Sequence, residues 1–135
     1  MDIWTIEKTL PNGFHDAFLQ NISIDYVKRE LQLDMEILVG DPDAPTEAER
    51  EAYKNAHLKL KGLIYCVIEP PDPNYPFSKK EPLWIDIGKI DSSTEPTNLK
   101  LPQKIPPEAF SFWMYSSDWN SSFYISAMEA EFSWV

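Results

Sequence analysis

The sequence predicts a mostly β fold: a single antiparallel β-sandwich or partly open barrel of about six to eight strands, with one short surface helix near residues 46–54. Three observations predict it. Apolar and polar residues alternate with a period of two over Ile22–Tyr26 and again over Leu31–Val39. Hairpin-like pairs of such stretches sit close together at both ends of the chain, which favours antiparallel over parallel pairing. Twelve prolines interrupt what remains and leave a single convincing helical stretch. At 135 residues the chain, 1–135, fits one domain with room for a sizeable core.

Taken in order, the first strands are Ile22-Ile24-Tyr26 and Leu31-Leu33-Met35-Ile37-Val39, each with apolar residues on one side. A register pairing Tyr26 with Leu31, Ile24 with Leu33 and Ile22 with Met35 keeps those residues on one face around a turn at Lys28-Arg29. Asp41-Pro42-Asp43-Ala44-Pro45 ends the second strand. Thr46 then caps a helix, with Glu49 three residues on completing a capping box. Leu58 to Ile68 returns to strand, and its apolar end, Leu63–Ile68, reads as covered on both faces. Glu69-Pro70-Pro71-Asp72-Pro73 makes a stiff loop, and Leu83–Ile87 is a further strand. Residues 91–108 read as a long connection with at most an edge strand near Leu99–Leu101. A carboxyl-terminal hairpin, Phe110–Tyr115 and Phe123–Trp134, flanks the turn-rich 116–122 segment. Its last strand changes parity: Phe123, Ile125 and Ala127 are apolar at odd positions, Ala130, Phe132 and Trp134 at even ones. A face that flips parity needs an extra residue, so a β-bulge is expected near Met128-Glu129.

Charge narrows the function classes. Twelve Lys and Arg stand against 22 Asp and Glu, a net charge of −10, and no basic residue follows Lys104. Nucleic-acid binding needs clustered Lys and Arg, which this chain lacks. No apolar run is long enough to span a bilayer, and Met1–Leu10 carries Asp2 and Glu7 and no secretory pattern. The lone Cys66 cannot form an internal disulfide, and a cytoplasmic location is expected.

Sequence motifs for chemistry are sparse. His15 beside Asp16 is a candidate base pair for a serine such as Ser116 or Ser117, but no nucleophile elbow accompanies it, and nothing in the sequence sets the carboxylate pairs Glu69–Asp72 or Asp86–Asp118 at a catalytic separation. The reading favoured here is structural, with His15 fixing the turn after Asn12-Gly13 against the core. His15 and His57 lack the paired spacing of a metal site, four scattered glycines cannot build a phosphate loop, and no cofactor or metal is expected. Aromatic residues in or beside loops are the better clue. Tyr75, Trp84 and Trp119, with Asp86, Asp118 and Asn120, form a candidate aromatic and acidic binding patch.

Leu10-Pro11-Asn12-Gly13-Phe14-His15-Asp16-Ala17, followed by the Ile-Ser-Ile-Asp-Tyr strand at 22–26, resembles small bacterial proteins of unassigned function. The Glu69–Pro73 loop and the Ser117-Asp118-Trp119-Asn120 turn belong to the same pattern. In size, acidity and β content the chain is also similar to acidic bacterial immunity proteins. That resemblance implies a non-enzymatic module that neutralises a basic protein partner. The alternative drawn from the residues is a small ligand held by the aromatic and acidic patch at the mouth of a β-barrel.

Overall fold

The computed structural model describes residues 1–74, 80–91, 94–96 and 98–135. Within them the alternating stretches form one antiparallel sheet of eight strands that does not close. The strands are β1 (Phe18–Asp25), β2 (Glu30–Leu38), β3 (Tyr53–Lys61), β4 (Tyr65–Ile68), β5 (Leu83–Lys89), β6 (Phe110–Ser116), β7 (Ser121–Ala127) and β8 (Glu129–Trp134). They lie in the order β4-β7-β6-β5-β1-β2-β3-β8. The mostly β, antiparallel class read from the sequence is the one observed.

Period-two burial explains the core. Leu31, Leu33, Met35 and Ile37 of β2 are at most 1% exposed, while Gln32, Asp34 and Glu36 between them face outward. Leu58 and Leu60 of β3, Ile85 of β5, Phe112 and Met114 of β6 and Ile125 of β7 complete the same interior. The parity change at the carboxyl end occurs where expected. Lys61 pairs with Glu129 and Tyr65 with Ser126, so four steps from β3 to β4 answer to three from β7 to β8, and the surplus residue lies on the β3–β4 side and not in the last strand as expected. The Met128 N–H sits at this bulge and donates to both Lys61 and Gly62 carbonyls at 3.2 Å. Gly62 turns the partner chain there with φ +62°, and a Cβ would lie 2.8 Å from Met128 Cβ.

Three local expectations are corrected. The first hairpin pairs Ile24 with Leu31 and Ile22 with Leu33, two residues away from the expected register. Its turn is longer, Tyr26–Arg29, because Arg29 takes φ 57° and donates through its side chain to the carbonyls of Leu63 and Ile64 at 2.8 and 2.7 Å. The helix α2 spans only Glu47–Arg50; Thr46 caps it as expected, but Tyr53 and Lys54 are drawn into β3 opposite Leu38 and Ile37. β4 is not covered on both faces, since it pairs with β7 alone and leaves Ile68 46% exposed. Residues 99–101 form no strand, within the long connection expected there, and Leu101 tucks in as a buried loop residue.

A further helix, α1 (Ile3–Thr9), was not foreseen. Asp2 caps it, accepting from the Thr5 N–H at 2.7 Å, and Ile3, Ile6 and Leu10 are buried in the core. The Met1 carbonyl accepts the Ala130 N–H at 2.7 Å and ties the start of the chain to β8.

Candidate functional site

β1 pairs with β2 from Phe18 to Asp25 but with β5 only at Phe18–Trp84 and Leu19–Leu83. Beyond that seam the chain before β5 leaves the sheet, and the wall opens into a cleft of about 680 Å³. Leu19, Ile22, Ile68, Leu83 and Phe123 supply apolar walls, and Lys80 and Glu81 stand among the charged residues that line it. A cleft of this size lies within the range usual for small-molecule sites.

One side of the cleft is held rigidly by hydrogen bonds. In the turn after β6, Asn120 adopts φ 46° and accepts from the Tyr115 hydroxyl at 2.7 Å. The Asp72 N–H donates to the Trp119 carbonyl at 3.0 Å. Ser121 Oγ donates to the Glu69 carbonyl at 2.6 Å, and the Ser122 N–H to Glu69 Oε1 at 2.9 Å. The proline-rich loop is thereby fastened to the β6–β7 hairpin, and Trp119 is set into the cleft wall beside Ser116.

Two polar atoms in this wall stand out. Ser116 Oγ and Trp119 Nε1 are both buried and have no hydrogen-bond partner among the described residues. Leaving such a group unpaired costs about 1–3 kcal/mol, so a folded protein ordinarily satisfies it. Both residues are among those that line the apolar cleft. The arrangement can take up a molecule with an apolar body.

Of the six residues of the candidate binding patch, Trp119 alone lines this cleft among those described. Asp118 and Asn120 serve the turn instead, Asp118 Oδ2 accepting the Trp84 N–H at 3.0 Å. Alternation in β5 sends Leu83 and Ile85 inward and therefore Trp84 and Asp86 outward. Trp84 Nε1 donates to Asp16 Oδ1 at 3.2 Å on that outer face. Tyr75 lies outside the described residues. The single aromatic and acidic patch is thus divided between the two faces of the sheet.

His15 is exposed, with its Nε2 3.2 Å from Asp16 Oδ2. It shares a shallow hollow with Glu7 and Asp86, whose lining includes no hydroxyl or thiol. The expected anchoring of the turn belongs to a neighbour: Asn12 Nδ2 donates to the Leu38 and Gly40 carbonyls at 3.0 and 2.9 Å. A second imidazole–carboxylate pair, His57 Nδ1 to Asp34 Oδ1 at 2.7 Å, lies on the outer face of β2 and β3, with Ser133 of β8 next in register. The imidazole there contacts Asp34 and Gln32 and is not part of the cleft. Burial pushes the Cys66 thiol up to about 11, which keeps it protonated and unreactive near neutral pH.

Among the described residues no three His, Cys, Asp or Glu side chains gather as a metal set, and no helix is long and apolar enough to cross a membrane. No protein-family model matches the chain, and neither a curated protein nor a solved structure matches it.

Proposed function

We propose that this protein is a non-catalytic binding module that holds a small, mostly apolar molecule in the cleft between β1 and the β6–β7 hairpin. One observation carries the reading: an apolar cleft of about 680 Å³ opens beside β1, and two of its lining residues, Ser116 and Trp119, bury polar atoms that have no partner among the described residues. A core selected for stability alone pairs or removes such groups. The acidic surface supports a second reading, a basic protein partner. The carboxylates of Asp16, Glu51 and Glu36 converge on Tyr53 and add to burial in raising its phenol above the ordinary range.

N-phenyl-1-naphthylamine, a neutral apolar fluorophore, tests the cleft. Saturable one-site binding with a blue-shifted emission is expected, and Ile22→Trp, which fills the cleft from β1, should abolish it while leaving the circular dichroism spectrum unchanged. Binding that is absent, or that survives Ile22→Trp intact, overturns the reading. Salt separates the two readings, because a charge-driven partner weakens with ionic strength and an apolar ligand does not.

A further inference from the structure

We infer a second binding site on the outer face of the sheet, where Trp113, Tyr115 and Tyr124 with the Asp86 carboxylate receive a methylated ammonium group. The inference is independent of the cleft, whose β6 and β7 residues, Ser116, Ser121 and Phe123, belong to the opposite face.

Alternation and register bring the four residues together. Phe112, Met114 and Ser116 of β6 are buried, so Trp113 and Tyr115 stand on the outer face, about 7 Å apart along the strand. Tyr124 of β7 is directly opposite Trp113, and Asp86 of β5 is directly opposite Tyr115. Residues so paired hold their Cβ atoms about 5 Å apart. The four, with Ser122 and Thr94, line one hollow of about 340 Å³. Two contacts fix the rings of β6. Trp113 pairs with Gly88 on its other side, and its indole fills the place of the missing side chain, since a Cβ on Gly88 would collide with Trp113 Cζ2. The Tyr115 hydroxyl donates to Asn120 Oδ1 at 2.7 Å. Rings already held in place lose little freedom when a ligand arrives.

Charge selects the ligand. The face of an aromatic ring is the negative side of its quadrupole and attracts a cation within about 6 Å of the centroid. Asp86 is exposed, and among the described residues its carboxylate has neither a hydrogen bond nor an ion pair. None of the described residues that line the hollow is basic, and the whole chain carries −10. An anion is therefore repelled and a cation drawn in. A primary ammonium holds its hydration shell tightly. Methyl groups loosen that shell and offer apolar surface to the rings, which favours a trimethylammonium.

Choline and 3,3-dimethylbutan-1-ol share one shape and differ in charge. Titration of each into ¹⁵N-labelled protein is followed at the Trp113 indole resonance, assigned by its loss in Trp113→Phe. Choline should move that resonance and bind about 5–30-fold tighter than the alcohol. Asp86→Asn, an exposed substitution, should weaken choline about 2–5-fold and leave the alcohol unchanged. Tyr124→Leu should also weaken choline. The group has two sources, a free small molecule or a trimethylated lysine of a partner protein. A trimethyl-lysine peptide that binds tighter than both choline and its unmethylated twin assigns the protein source, and a peptide no tighter than choline assigns the small molecule. Equal affinity for choline and the alcohol overturns the site, as does choline binding that survives both substitutions unchanged. A preference for methyl β-glucoside over choline would make the hollow a sugar platform and overturn the inference as well.

Discussion

β2 and β1 are neighbours of similar length with opposite fates. β2 is laddered to β3 along its whole length and to β1 from Glu30 to Glu36, and it buries every second side chain completely. β1 is laddered to β2 but meets β5 at two positions only, and past Leu19 its residues are exposed or half-buried. The contrast is clearest in one cross-strand pair. Leu33 and Ile22 face each other, yet Leu33 is fully buried and Ile22 lines the cleft. Pairing on both edges makes a core strand, and pairing that stops early on one edge makes a binding wall.

Truncating that pair tests the difference and carries the largest expected effect. Leu33→Ala should leave a cavity and cost about 2–5 kcal/mol. Ile22→Ala removes atoms that already border open space, so no closed cavity forms. Its cost should be about 1 kcal/mol, from the area it still removes from water. Urea unfolding of both variants measures the gap. Equal losses would mean that the cleft wall is packed as tightly as the core.

What the sequence discloses follows from what alternation can detect. A period-two pattern is sensitive to shifts of one residue and blind to shifts of two. That is why the parity break at Met128 was legible from Phe123, Ile125, Ala130 and Phe132. It is also why the first hairpin could be misregistered by two with every apolar residue still on the correct face. The length of that turn was set by Arg29 reaching Leu63 and Ile64, a contact 34 or 35 residues away in sequence that no local pattern reveals. Helix α1 did leave a signal, Ile3, Ile6 and Leu10 at helical spacing behind an Asp2 cap.

The cleft was partly legible too. Extending the inward parity of Phe110, Phe112 and Met114 by one step places Ser116 inside, and extending Phe123 and Ile125 back places Ser121 inside. The same parity along β5 sends Trp84 and Asp86 outside. Nearness to loops drew the expectation toward those residues, whereas alternation assigns them to the outer face. What no sequence pattern shows is where the β1–β5 ladder ends, because that depends on the path of the chain before β5.

The segment before β1 offers a smaller effect. Asn12 and His15 lie in one turn, but Asn12 bonds two backbone carbonyls of the β2 end while His15 points to solvent beside Asp16. Asn12→Ala should cost about 1–3 kcal/mol, since both carbonyls lose a donor in a partly buried position. His15→Ala should stay within about 0.5 kcal/mol of the parent, as exposed substitutions do. Thermal melts of the two variants side by side decide it. A loss at His15 matching that at Asn12 would restore His15 as the anchor of the turn.

The smallest effect lies on the outer face of the fully laddered strand, and it depends on pH. Burial alone would raise the Asp34 carboxyl, but hydrogen bonds from Gln32, Asn21 and His57 outweigh it and hold the group below its ordinary range. The unfolded chain, with an Asp near pKa 3.9, therefore binds a proton more readily than the folded one. A depressed folded pKa contributes stability that is present above about pH 4 and is lost as the pH falls through the folded value. For a pair this open to water the contribution should lie within about 0.2–1 kcal/mol. Comparing the parent with Asp34→Asn in urea at pH 6 and at pH 3 isolates it, because the other carboxylates titrate alike in both proteins. The parent's advantage should shrink toward pH 3. An advantage that holds constant or grows would show that Asp34 carries no depressed pKa, and that its bonds to Gln32, Asn21 and His57 hold the neutral side chain as well as the charged one.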